Sequence, residues 1–140
     1  MTVPVILLWA LSSHAQQSSR AVVQSYLDAY SDHDIPGILS LVTHDIRWMA
    51  VDGIRMRLQS AGKEALGEGI TTYFRNLPSA RSEAREMTVL GNFVTVVEEA
   101  TWESEGVTHS QCAISVYEIT AGLIANVWYY PTQPCEAKRD

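Results

Sequence analysis

The chain has 140 residues, and 16 acidic residues against 10 basic ones give it a formal charge of −6 with no basic run. That length suits one domain able to bury a sizeable core, and that charge repels nucleic-acid phosphates, which excludes a nucleic-acid partner. No tract is low in complexity and no internal repeat recurs, so the composition is that of an ordinary folded domain.

From the N-terminus, VPVILLWAL is an apolar run of signal-peptide length, and Ser13-His14-Ala15 places small residues where a signal peptidase reads. The segment before it holds no Lys or Arg. Residues 1–17 therefore read in one of two ways: as a signal peptide, giving a periplasmic or secreted protein, or as a segment packed on the domain or a partner, giving a cytoplasmic one. The run falls short of the roughly 20 apolar residues a membrane-spanning helix needs, so no membrane partner is expected.

Ser18 or Ser19 can cap a first helix in which Val22, Val23, Tyr26, Leu27 and Tyr30 recur at three-to-four spacing. Its apolar face carries two phenols. This helix ends near Ser31-Asp32-His33, and Asp34 caps a second one with Pro36 in its permitted first turn. Asp45 to Val51 reads as a strand, Asp52-Gly53 as a turn, and the residues up to Ala61 as a mixed loop. Gly62-Lys63-Glu64 opens a third helix, with Leu66, Ile70, Tyr73, Phe74 and Leu77 at helical spacing, which Pro78 stops.

Everything after that is extended. Runs from Glu83 to Leu90, Phe93 to Ser104, Val107 to Ile119 and Leu123 to Tyr130 are separated by short connections that contain glycine, the pattern of consecutive antiparallel hairpins. Helices first and strands later predict an α+β domain, with helices covering one face of a strongly bent sheet. The domain spans residues 18–131, and 132–140 form a C-terminal tail. Cys112 lies inside a strand and Cys135 in that tail, and two free thiols are expected. The four histidines lack metal-ligand spacing, and there is neither a phosphate-binding glycine loop nor a dinucleotide motif, so no metal and no cofactor is expected.

Three segments carry a resemblance: VVQSYLDAYSDHDIPGILSLVTHDIRW in the helical corner, GKEALGEGITTYFRNL in the third helix and ISVYEITAGLIANVWYY in the last hairpin. With these the chain resembles, over about residues 18–131, the nuclear transport factor two-like or SnoaL-like superfamily. That superfamily also holds ketosteroid isomerase, polyketide cyclases and limonene epoxide hydrolase. The resemblance implies a cone-shaped, strongly curved, mostly antiparallel sheet closed by three helices around a pocket. Matched to the isomerase, Tyr26 stands where that enzyme has its oxyanion-donating tyrosine. Ala50 stands at the general base and Ser115 at the assisting acid, so both carboxyls are missing. Matched to the epoxide hydrolase, Glu98 stands for one acid, while Val96 and Tyr129 occupy the other two places.

If Ala50 and Ser115 face the cone, period-two alternation brings in Trp48 and Asp52, then Glu98, Ala100 and Trp102, then Gln111 and Ala113, then Val127 and Tyr129. Phe74 joins them from the third helix. A mostly apolar wall around a few polar groups suits a small apolar ligand. Glu98 is the first candidate for acid–base work, since burial would raise its pKa toward neutrality. A slip of one residue would turn Glu99 inward instead. Asp52 is the second candidate, against its plainer reading as a turn residue, and Tyr26 is the hydrogen-bond donor. The opposite face carries Ile114, Val116, Trp128 and Tyr130, and with the resemblance this implies a homodimer through the outer sheet. Two functions compete: a cofactor-independent isomerase-, lyase- or hydrolase-like enzyme, and a carrier that binds an apolar ligand unchanged.

Overall fold

A computed structural model describes residues 6–136, with side chains from residue 19 onward. Its elements are α1 (Ile6–Ser31), α2 (Ile35–Ser40), β1 (Val42–Asp52), β2 (Arg55–Ala61), α3 (Lys63–Asn76), β3 (Arg81–Leu90), β4 (Phe93–Ser104), β5 (Val107–Thr120) and β6 (Leu123–Tyr129). The choice between a signal peptide and a packed segment falls on residues 1–17. Residues 1–5 lie outside the described part, and residues 6–17 are described only as the backbone of α1, which therefore begins well before Ser18.

The strands form one six-stranded sheet in the order β2-β1-β6-β5-β4-β3, antiparallel except where β1 meets β6 in parallel. The three C-terminal hairpins arise locally. Glu105-Gly106 and Ala121-Gly122 both take positive φ at two successive residues, the backbone sense that matches the right-handed twist of paired strands. Among the pairings of the named strands, that of β6 with β1 is non-local, and it is fastened where Ile124 N–H donates to Leu41 C=O at 2.9 Å.

The helices pack on one face of this curved sheet. Asp34 caps α2 by accepting from Gly37 N–H at 3.0 Å, with Pro36 in the first turn. Val23 and Leu27 of α1 and Ile38 of α2 meet Val42, Ile46, Val94, Val96, Ile124 and Val127 of the sheet in a fully buried core. Each such side chain contributes about 1.5–3 kcal/mol by leaving water. The end of α1 is clasped to β3: Ser31 Oγ donates to Ser82 C=O at 2.8 Å and accepts from Ser82 N–H at 3.0 Å.

Two expectations are corrected. The stretch read as a mixed loop after Gly53 contains β2, which pairs with β1 from Asp52↔Arg55 to Arg47↔Ala61. It is an edge strand exposed along almost its whole length, so it lacks the alternation of buried and solvated residues by which a half-buried strand is recognised. The cysteines are not free thiols: Cys112 and Cys135 form a disulfide with Cα atoms 4.9 Å apart. The tail does not leave the domain after β6. Gln133 pairs with Cys112 through two backbone hydrogen bonds of 2.8 and 2.9 Å, and this brings Cys135 beside its partner. No helix among the described residues is long and apolar enough to cross a membrane.

Candidate functional site

Between the helices and the sheet lies a cavity of about 630 Å³. Its floor is buried and polar, made by Tyr26, Ser82, Glu98 and Tyr117; its middle is aromatic, with Tyr30, Trp48, Trp102 and Tyr129; and its rim is exposed, with Gln59, Tyr73, Gln111 and Thr132. No Lys, Arg or His lines it among the described residues. Apart from its tyrosines, the one ionisable group facing the space is therefore acidic.

Glu98 is 6% exposed. Sheet pairing sets its direction, because it stands opposite Ala113 on β5 and Ala84 on β3, and paired residues share a face. Glu99 accordingly points to the other face, where its carboxylate lies 3.4 Å from Arg85 Nε. Tyr117 hydroxyl donates to Glu98 Oε1, and Ser82 hydroxyl donates to Oε2 at 3.2 Å. Burial raises the Glu98 pKa above its ordinary value, while the neighbouring hydroxyls of Tyr117, Ser115 and Ser82 pull the other way. A carboxyl so placed favours its neutral form and still has donors ready for its anion.

Tyr26, 2% exposed, has a hydroxyl with no hydrogen-bond partner. Its ring lies between those of Trp48 and Tyr117, at centroid distances of 6.3 and 5.9 Å. Burial first, and then the nearby Glu98, push its pKa up, so it remains a neutral phenol that can donate. Tyr129 is pushed up to about 12, by burial first, then Glu98 and Tyr73. Ser115 Oγ lies near the Glu98–Tyr117 pair and makes no well-formed hydrogen bond. The orphaned hydroxyl of Tyr26, on the cavity floor beside an acid, leaves polar valence for a ligand to satisfy.

Of the residues named from sequence, the cavity brings together Tyr26, Trp48, Ala50, Glu98, Ala100, Trp102, Gln111 and Tyr129. Asp52 does not join them: it is exposed and pairs with Arg55 at the β1–β2 turn, beyond the cavity's reach. Phe74 is packed in the core, with His33 stacked on it at 3.9 Å and Tyr30 edge-on at 5.0 Å. It props Tyr30 rather than lining the space. Val127 is fully buried core. Ala113 and Ser115 are buried in β5 opposite Glu98 and Val96, behind the lining. Sequence reasoning missed Tyr117 and Ser82. The alternation through Gln111, Ala113 and Ser115 runs on to Tyr117, so that residue was legible. Ser82 stands just before the strand start expected at Glu83; it lies inside β3, paired with Ala100 on β4 and held by the Ser31 clasp.

Glu99, Cys112 and Cys135 bring potential metal-ligand atoms within 4.8 Å of one another, but both sulfurs are engaged in the disulfide and are not thiolate ligands.

With this geometry the comparisons are informative. The model of the SnoaL-like domain matches residues 23–127. An uncharacterised cystatin-fold protein from Novosphingobium aromaticivorans superposes with TM-score 0.70 at 20% identity, covering 79% of this chain and 96% of its own. An NTF2-like protein of unknown function from Burkholderia pseudomallei gives TM-score 0.67 at 16% identity, covering 80% and 88%. A protein with a ketosteroid isomerase-like fold from Catenulispora acidiphila, in complex with trimethylamine, gives TM-score 0.67 at 11% identity, covering 79% and 84%. No curated protein is significantly similar in sequence. At such identities the neighbours fix the fold alone: an α+β NTF2-like cone with a six-stranded curved open sheet. That fold hosts isomerases, cyclases and hydroxylases, cofactor-independent enzymes among them.

Proposed function

The chain belongs to the SnoaL-like domain family, and on that premise we propose that it binds a small, neutral, largely apolar molecule in the cone and performs acid–base chemistry on it with Glu98. The observation that carries this is a buried carboxyl on the cavity floor with no cationic partner in the lining and hydroxyl donors at both oxygens. Protonated, the form that burial favours, Glu98 can give a proton to a carbonyl, a lactone oxygen or an epoxide oxygen; as an anion it can take one from carbon or water. Tyr117 and Ser82 hold it in place and favour the charged form while the proton is away. The free hydroxyl of Tyr26 serves the developing negative charge on the ligand oxygen. The absence of basic side chains from the lining, among the described residues, disfavours phosphorylated or carboxylated ligands.

Screening ketones, lactones and epoxides with the wild type and Glu98→Gln tests this. The expected result is turnover that falls about 10²–10⁴-fold in the variant, with ligand affinity and fold retained. Equal turnover by the two proteins would remove Glu98 from the chemistry.

A second reading is a carrier. It is favoured by one specific fact: the two positions at which the isomerase holds its carboxyls are Ala50 and Ser115 in this chain. Recovery of the ligand chemically unchanged under all conditions would select it. In either reading we propose a homodimer through the outer sheet face, where Ile114 is 48% and Tyr130 40% exposed.

A further inference from the structure

We propose that the C-terminal segment 132–136 is a wall of the cavity mouth that a dithiol can release, with Cys112–Cys135 as its latch; the proposal rests on the cone being the ligand site. Tyr130 N–H still donates to Ile114 C=O at 3.0 Å, then Pro131 interrupts the ladder, and the chain rejoins β5 at Cys112–Gln133. Thr132 lies between these two attachments, exposed and on the cavity lining beside the aromatic wall that Tyr129 ends. The tail thus gives the site a rim residue, and its place depends on what holds Gln133.

Three ties do so: the backbone pair at Cys112, the disulfide, and Arg85, whose Nη1 donates to Glu136 C=O at 2.8 Å. The first joins the exposed Gln133 to the buried Cys112, and the last is an exposed bond at the chain end. Segments of that kind open readily unless they are covalently tied down.

The surroundings of the disulfide suit exchange. Cys112 is 8% exposed and Cys135 is the more accessible of the two. A thiolate of an incoming dithiol attacks Cys135 Sγ and forms a mixed disulfide, and the electron pair of the broken S–S bond goes to Cys112 Sγ. Arg85 Nη1 stands 3.6 Å from that sulfur and favours the departing thiolate, although Glu99 shares the guanidinium. The second thiol of the reductant then displaces Cys135, the reductant leaves as its cyclic disulfide, and both cysteines finish as thiols after taking protons from water. The protein is reduced by two electrons and the dithiol is oxidised by two.

Released, residues 132–136 fray from β5 and Thr132 leaves the rim, so ligands enter and leave faster. The test compares oxidised protein, protein reduced with dithiothreitol and capped with iodoacetamide, and Cys135→Ser, which leaves the buried Cys112 in place. Hydrogen exchange is read at the amides of Cys112 and Gln133, and stopped-flow fluorescence follows the neutral probe N-phenyl-1-naphthylamine. Reduction and Cys135→Ser should each speed exchange at both amides roughly tenfold or more and raise both probe rate constants, with the far-ultraviolet circular dichroism unchanged. If the two amides stay protected after reduction, the disulfide is not the latch and the proposal falls. If exchange rises while probe kinetics hold, the tail is no wall; the proposal falls and the cavity reading stands. If the probe binds in neither state, both fall.

Discussion

Glu98 shows what a single position can decide. It is a carboxyl placed among tyrosines and aliphatic side chains, where burial disfavours its charge more than its hydroxyl donors restore it. Its pKa in the folded chain is raised above the unfolded value of 4.5. The stability linked to this shift is fully present below that value and is lost as pH rises through the folded pKa. Denaturation by urea across a pH series should therefore show Glu98→Gln gaining on the wild type as pH climbs out of the usual carboxylate range; a constant gap would mean that Glu98 is not shifted. Alternation in the sequence singled out Glu98 but left Glu99 open, because a one-residue slip exchanges the faces of a strand. The contacts of Glu98 with Tyr117 and Ser82 on the cavity floor, and of Glu99 with Arg85 on the other face, close that question. Asp52 lies outside the cavity lining for a different reason: parity says which face a side chain takes, not how far along the strand the cavity extends.

At the level of elements, the sequence was most legible where a local rule dictates structure. The existence of the three helices, the Asp34 cap and the glycine-bearing hairpins follows from neighbouring residues, but the start expected at Ser18 or Ser19 does not hold, because α1 runs back to Ile6. β2 was not legible in this way, since an exposed edge strand leaves no burial pattern. The tail's return was hidden because it depends on one bridge at Cys112–Gln133, far apart in sequence. The clasp between α1 and β3 has the same non-local origin, and it positions the Ser82 hydroxyl at Glu98. Ser31→Ala removes both bonds of the clasp and strands the Ser82 backbone groups, which should cost about 1–3 kcal/mol in chemical denaturation and lower turnover through misplacement of Ser82. Ser40→Ala, which loses only an exposed bond to Gly37 C=O, is the control expected to stay within about 0.5 kcal/mol of the wild type. Equal losses in the two variants would mean that the clasp has no special weight.

Across the whole molecule, the helices cover one face of the sheet and leave the other with an apolar belt that includes Met56 and Leu58 on β2, Phe93 on β4 and Ile114 on β5, all exposed. Such a belt is costly in water and calls for a second surface. Light scattering should give twice the chain mass for the wild type and the chain mass for Ile114→Asp; a monomeric wild type would contradict the dimer. Dimerisation would cover the outer face, and with it the Cys112–Cys135 disulfide beside Glu99, so that the disulfide is open to a dithiol in the free chain; the cone's mouth at the rim of Gln59, Tyr73, Gln111 and Thr132 would stay uncovered. The proposed chemistry turns on the state of one proton. The most direct measurement is a carbon-13 NMR titration of the Glu98 carboxyl, assigned by its loss in Glu98→Gln. The expectation is a midpoint above the ordinary carboxylate range. A midpoint at the ordinary value would contradict it, leaving a cavity that binds its ligand without the acid to transform it.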